Sequence, residues 1–346
     1  MIIFSTFLNL PSRMSNQRQT PLCQYFKPLE VKRKKTNFIY DVSTCRAWFA
    51  DTYDEDDTFV GGRCGVKLWK RASGDVPATQ EFRLPKVKIP IPLLKSHLQK
   101  SIRRQNVDLA LKTTYSMLAY APCEILRRLP IIMIEDVAFI QGASTIVWLM
   151  MACKEHKLTE KDYMFIKSFV VSLCKTDDVF PDKRDEDPEE HTHEEIASME
   201  HPHLSELLAL RIRCEYGGMH CDMRMLKRAL TYYKENQRLG QIRPWNISQQ
   251  SVHLTLDYTG ESFILEAIDF HPYPHITQEI HDQTGVRHTI IKNLIWCVES
   301  SLNVRRPIGY RCAAAARDNK DWVKIKPVLD TARRNIIERL VSKIAL

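Results

Sequence analysis

Residues 98–137 read LQKSIRRQNVDLALKTTYSMLAYAPCEILRRLPIIMIEDV. Leu94, Leu98 and Ile102, then Leu109, Leu111, Tyr115 and Leu118, recur mostly at three- and four-residue steps. That period lays an apolar stripe along one side of a helix. Pro122 and Pro130 read as turns or first-turn positions between successive helices. The helical signal continues through 144–156 and 159–174, and Thr159-Glu160-Lys161-Asp162 has the composition of a helix start.

Outward from this stretch the pattern changes. Upstream, 37–42, 66–70 and 82–91 are strand-like, broken by Gly61-Gly62, Gly65 and Gly74, and the acidic run 51–57 reads as a loop. Downstream, 177–200 holds 11 acidic residues against Lys183 and Arg184, a solvated loop between two helical halves. Helices resume over 204–215 and 221–236, joined by Gly217-Gly218, and 290–300 and 322–344 close the chain. No repeat of fixed period is present. The expected fold is therefore mainly α, with a helical core, a small β-containing segment before it and a disordered N-terminal tail. Five regions follow: the tail 1–36, the β segment 37–92, a helical domain 93–176, the acidic loop 177–200 and a second helical region 201–346.

The composition is that of a globular protein: 346 residues, 44% hydrophobic and 27% charged. No apolar run of about 18 residues occurs, so no membrane span is expected. Residues 1–35 carry seven basic groups against Glu30, a net of +6, whereas the other 311 residues carry 43 basic and 41 acidic groups. The basic character belongs to the tail. The ten cysteines form no C-x-x-C pair and several lie in helical runs, which predicts reduced, mostly buried thiols in a cytosolic or nuclear protein. The first ten residues lack the features of a secretory signal. The absence of acids before Glu30 is also what a mitochondrial transit peptide shows, and Met14 is an alternative start.

Within the tail, residues 19–26 read QTPLCQYF. One turn of 3₁₀ helix would place Leu22, Tyr25 and Phe26 on one side as a three-pronged apolar plug, with the Gln19 amide at its rim. This Q-x-x-L-x-x-Y-F pattern resembles the sliding-clamp (PCNA) interacting peptide of replicative DNA ligases and flap endonucleases. The resemblance implies clamp binding through Gln19, Leu22, Tyr25 and Phe26. The competing expectation is that the three apolar side chains dock on their own domain. Lys32, Arg33, Lys34 and Lys35 would steer the tail toward an acidic partner and fit a nuclear import signal, placing the protein in the nucleus rather than the mitochondrion.

The opening stretch also resembles the helical region that follows the ATPase core in the MgsA/RarA family and its Werner-helicase-interacting relatives. The matching elements are 98–103 (family pattern L-H-K-S-x-R), 108–110 opening a helix, 126–129 (A-R-R-L) and Glu135-Asp136 (E-D). About 40 residues are covered. The resemblance implies a clamp-loader-collar-like helical core that organises assemblies on replication-fork DNA. No G-x-x-x-x-G-K-[ST] loop exists anywhere, so the ATPase of that family is not expected here. Lys100, Arg103, Arg104, Arg127 and Arg128 are candidate phosphate contacts. Their alternative is pairing with carboxylates such as Glu135 and Asp136 between helices.

No residue set reads as catalytic, and no cofactor is expected. Asp269, His271 and His275, with His201 or His203, are the one combination that could gather a metal, although Pro272 and Pro274 prevent a helical ligand spacing. Glu190 to Glu195 with His191 and His193 would bind metal weakly at the surface. A Cys214 or Cys221 pairing with His220 rests on proximity alone, and Asn303 to Arg306 reads as a turn beside anion contacts. The expectation is a non-ATPase, clamp-binding accessory protein of DNA replication or repair. The alternatives are a clamp-recruited metal-dependent nuclease or hydrolase, and a mitochondrial or viral structural protein.

Overall fold

The computed structural model describes residues 36–72, 89–182, 185–240 and 258–344. The clamp-like motif, the basic run 32–35 and most of the strand expected over 82–91 lie outside these, and of its described end Ile89 and Pro90 belong to no strand while Ile91 opens a helix. Four short strands open the described chain: β1 (Asn37–Asp41), β2 (Arg46–Ala50), β3 (Thr58–Arg63) and β4 (Val66–Arg71). They form one sheet in the order β2-β1-β4-β3. Two hairpins are joined by a parallel β1–β4 pairing in which Phe38 faces Leu68 and Tyr40 faces Lys70. β2 and β3 were not anticipated: their short runs lack a clear alternation, and the hairpin register supplies what the pattern does not.

The rest is helical among the described residues: α1 (Ile91–Arg103), α2 (Val107–Tyr120), α3 (Pro122–Asp136), α4 (Ala143–Met151), α5 (Glu160–Lys175), α6 (His193–Ala197), α7 (Leu204–Glu215), α8 (His220–Glu235), α9 (Ile276–Thr284), α10 (His288–Ile295), α11 (Pro307–Arg317) and α12 (Lys320–Ile344). The fold is mainly α with a small sheet near its N-terminus, as the periodicity predicts. None of the described helices is long and apolar enough to cross a membrane. Pro122 sits in the first turn of α3, where its missing N–H costs nothing, but Pro130 lies inside that helix rather than between two. An internal proline costs roughly 3 kcal/mol. Here Leu129, Ile131, Ile132, Met133 and Ile134 are all buried around it, and their burial outweighs the lost hydrogen bond.

A buried carboxylate is one of the points at which the sheet is tied to the helices. Asp162 is fully buried at the third position of α5 and completes the capping box with Thr159. It also accepts from the Tyr40 hydroxyl of β1 and lies 2.9 Å from His156 Nε2. Tyr40 stacks on Trp148 of α4 with ring centroids 4.6 Å apart, and Trp148 Nε1 donates to the Phe38 carbonyl at 3.0 Å.

α7 and α8 then pack on α4 and α3, so the two helical halves share one core instead of standing apart across the acidic segment. That segment is tied down by α8. Asp182 pairs with Arg228 at 2.7 Å, Asp187 with Arg224 at 2.6 Å, and Glu190 with Lys227. These three basic residues lie at i, i+3 and i+4, one face of the helix. Within the segment, Thr192 caps the short α6.

From the C-terminal third, Arg305 reaches back to close α5. Its guanidinium donates to the carbonyls of Leu173 (2.5 Å), Cys174 (3.1 Å) and Thr176 (2.6 Å), and to Ile102 of α1 at 2.9 Å. Carbonyls at a helix C-terminus have no partner within the helix, and a cation satisfies them well.

The cysteines depart from the expectation of free thiols. Cys123 in the first turn of α3 and Cys153 just past α4 form a disulfide, with Cα atoms 5.7 Å apart. Their spacing of 30 residues carries no local signature, and only the antiparallel packing of α3 and α4 brings them together. Cys174 and Cys214 are buried free thiols, as expected of helix-packing cysteines.

His97 of α1 ties the core to the segment 258–264. Its Nε2 accepts from the Ile264 backbone N–H at 2.9 Å, so the proton sits on Nδ1, which faces Thr113 Oγ1 at 2.7 Å. Burial holds its pKa at about 3, against an ordinary value of 6.5. The unfolded chain therefore binds a proton here below pH 6.5 that the native state refuses, and stability present at neutral pH is lost as pH falls from 6.5 toward 3. Between pH 7 and pH 5 this one group costs about 2 kcal/mol of unfolding free energy. Urea unfolding across that range is expected to show the decline, and His97→Gln, whose amide oxygen can still accept from Ile264, is expected to remove about that much of it. An unchanged slope in the variant contradicts the assignment.

Candidate functional site

Gln99, Lys100 and Arg103 lie on one side of the last turns of α1 and face the end of α3. Arg103 is buried and uses all three guanidinium nitrogens. Nε meets Asp136 Oδ1 at 2.5 Å, Nη2 meets Glu135 Oε1 at 2.8 Å, and Nη1 donates to the Ser300 carbonyl at 2.9 Å. Gln99 Nε2 donates to both carboxylates at 2.8 Å, and its oxygen accepts from Arg128 Nη2 at 2.5 Å. Arg128 lies 3.6 Å from Asp222 at the start of α8. Burial pushes the Asp136 carboxyl up while Arg103 pulls against it, and the neighbouring carboxylates keep Arg103 protonated against the cost of its own burial.

A second buried pair adjoins the first. Lys100 Nζ meets Asp269 Oδ2 at 3.0 Å, and the same oxygen accepts from Ser300 Oγ at 2.8 Å. Asp269 Oδ1 accepts from the His271 backbone N–H at 2.8 Å and faces its Nδ1 at 3.0 Å. Burial alone would raise the Asp269 pKa, but the bonds from His271 and the charge of Lys100 hold it well below the usual carboxylate range. A π-helical turn (Trp296–Ser300) follows α10 and delivers Ser300 to this pair. It also delivers Glu299 to Arg333 of α12 at 2.6 Å. Five elements distant in sequence thus meet in one network of charges.

A cleft of about 380 Å³ opens over this network, bounded by Lys95, Arg128, Met219, Cys221, His271 and Trp296. Of the stretches that carry the collar resemblance, Lys100, Arg103, Arg128, Glu135 and Asp136 lie at or beneath its floor, whereas Arg127 does not line it. They converge although they come from three separate stretches of sequence.

Of the five candidate phosphate contacts, Lys100 and Arg103 are buried and fully committed to carboxylates and carbonyls. They do not form an exposed basic face. Arg104 donates to the Glu299 carbonyl at 3.0 Å, and Arg128 is held by Gln99. Arg127 alone is substantially open, with 44% of its side chain exposed, beside Glu124 at 3.8 Å. The pairing alternative describes the geometry.

The metal combination does not assemble. Asp269 and His271 are together, but His275 lines a different hollow with Pro90, Tyr273 and Arg339. Among the described residues no group of three or more His, Cys, Asp or Glu side chains is placed to hold a metal ion. His191 and His193 are occupied by Thr231 (3.0 Å) and Thr36 (2.8 Å). Burial pushes the Cys214 thiol up to about 12, so it stays protonated at neutral pH. Cys221 is exposed, and its thiol sits 3.8 Å from the Asp222 carboxylate. Arg305 and Arg306, read as anion contacts, are spent on backbone carbonyls.

No protein-family model, curated protein or solved structure matches this chain.

Removing one partner from a buried, hydrogen-bonded ion pair costs about 3–5 kcal/mol, because the other charge is stranded. Arg103→Met is therefore expected to lower unfolding free energy by that amount, with Arg103→Lys intermediate since it keeps the charge and loses the fork. Arg127→Ala, at an open site, is expected to change it by less than about 0.5 kcal/mol. Urea titrations of the three variants check the order, and equal midpoints for Arg103→Met and Arg127→Ala contradict it.

Proposed function

We propose that this chain is a sliding-clamp-binding accessory protein of DNA replication or repair that acts in the nucleus and has no ATPase of its own. The observation that carries the reading is the motif at 19–26. Leu22, Tyr25 and Phe26 have the spacing of a three-pronged plug, set in a tail with a net charge of +6. The convergence of Lys100, Arg103, Arg128, Glu135 and Asp136 on one buried network supports the collar-like part. In this reading the network rigidifies a helical body that contacts DNA or replication proteins, while the tail recruits it to the clamp and Lys32 to Lys35 import it.

Calorimetric titration of a peptide covering residues 14–36 against a sliding clamp tests the reading. Anchor residues of such plugs contribute about 2 kcal/mol or more each, so Leu22→Ala and the Tyr25→Ala/Phe26→Ala pair are expected to weaken binding by about 30-fold or more. Equal heats from all three peptides overturn it.

One observation favours a second reading, a structural protein of a mitochondrion or virion. The Cys123–Cys153 disulfide suits an oxidising setting and is uncommon in nuclear proteins. Alkylation of thiols during cell lysis, followed by peptide mass spectrometry, separates the two. Nuclear action predicts Cys123 and Cys153 alkylated as free thiols, and the structural reading predicts the linked peptide pair.

A further inference from the structure

Charge after the basic tail is divided along the sequence. Residues 287–346 hold 13 basic and 5 acidic groups, a net of +8, whereas 36–286 hold 30 basic and 36 acidic groups, a net of −6. On α8 the fold balances its cations, setting Arg224, Lys227 and Arg228 against three acids of the segment beside it. In the C-terminal helices Lys326 and Arg333 are balanced in the same way, by Asp330 and Glu299. Arg317 at the end of α11 and Lys320, Lys324 and Arg334 of α12 are different. All four are exposed, and no carboxylate among the described residues lies within ion-pair distance of any of them. Arg334 contacts only the Asp330 carbonyl and the Thr331 hydroxyl of its own helix, at 3.4 Å each, which leaves its charge uncompensated.

Three of these cations, Lys320, Lys324 and Arg334, are also aligned on α12. Positions 320, 324, 327, 331, 334 and 338 share one stripe of a helix. On α12 that stripe reads Lys, Lys, Pro, Thr, Arg, Glu, with Glu338 its one acid. From Lys320 to Lys324 the helix rises about 6 Å, and from Lys320 to Arg334 about 21 Å, at 1.5 Å per residue. Over that length the exposed side of α12 concentrates positive charge on a rigid element, which attracts a polyanion. The opposite side of α12 buries Trp322, Ile325, Leu329, Ile336, Ile337 and Leu340 against the body. The helix therefore has no apolar face left to insert into a lipid surface, which a membrane-binding amphipathic helix requires. Pro327 and Thr331 between the cations are short and leave the backbone of a duplex free to approach.

We infer that the exposed stripe of α12, together with Arg317, is a binding surface for the phosphate backbone of double-stranded DNA. It replaces the α1 and α3 arginines as the face that meets the nucleic acid, and it rests on the proposed role in DNA transactions. Contacts are to phosphates, so the surface carries no sequence preference.

Fluorescence anisotropy of the full-length protein with a labelled 25-base-pair duplex, without any clamp, tests this. Neutralising four phosphates gives a slope of log affinity against log salt of about −3.6, a loss on the order of 100-fold between 50 and 200 mM salt. Lys320→Gln/Lys324→Gln/Arg334→Gln is expected to weaken binding at 100 mM salt by more than tenfold and to flatten the slope by about 2.7. Arg224→Gln/Lys227→Gln, on the balanced α8 face, is expected to leave both unchanged. A triple variant that binds like the parent overturns the inference, as does binding to phosphatidylserine vesicles with none to the duplex. Should the triple variant not fold, Lys320→Glu alone must lower affinity. Leu22→Ala/Tyr25→Ala/Phe26→Ala is expected to keep full duplex binding whatever it does to the clamp, so failure of the tail motif and failure of this surface are told apart.

Discussion

A guanidinium taken out of water must be met on every side, and Arg103 sets the terms for the middle of this molecule. Its fork requires both Asp136 and Glu135 at the end of α3, and its remaining nitrogen requires the Ser300 carbonyl from a turn nearly 200 residues later. Asp136 carries this pairing at the cost of its own desolvation, so the carboxylate is tolerable only while the cation is present. The same physics repeats next door, where Lys100 answers Asp269, and again where Arg333 answers Glu299. The Arg103 pairing also fixes the end of α3 in one register, because its fork meets the two carboxylates in one geometry.

That constraint accounts for the shape of the cleft. Its floor is rigid because it is made of satisfied charges, and its rim of Met219, Cys221, His271 and Trp296 is made of adaptable or aromatic side chains. The floor presents almost no spare charge. Its cations are internal fasteners, whereas Lys320, Lys324 and Arg334 of α12 stand on the outer surface with no carboxylate within ion-pair distance among the described residues. A protein that binds a polyanion needs both kinds, one to hold the scaffold and one left to exchange counterions.

The helices were legible because their apolar residues recur with helical period. The Thr159 start, α7 and the long closing helix sit where the pattern puts them, within a residue or two. Pro130 misled because local chemistry argued for a break that the burial of its neighbours overrides. β2 and β3 were hidden because short strands in hairpins take their register from pairing partners. In the network, Glu135 and Asp136 could be matched to nearby arginines by proximity in sequence. Asp269, Ser300, Glu299 and Arg333 could not, since nothing in their spacing announces contact across 30 to 200 residues. The disulfide was missed for the same reason: it joins two helices at a distance that only their packing defines.

Arg305 carries a consequence for synthesis. The carbonyls at the end of α5 and that of Ile102 receive their donor from a side chain more than 125 positions further along. A ribosome that has just released α5 has therefore made a helix whose C-terminus is still hydrated and frayed. Those groups find their partner only after the last third has emerged. The nascent N-terminal half must wait in a partly finished form, and its completion is timed by translation of the opposite end.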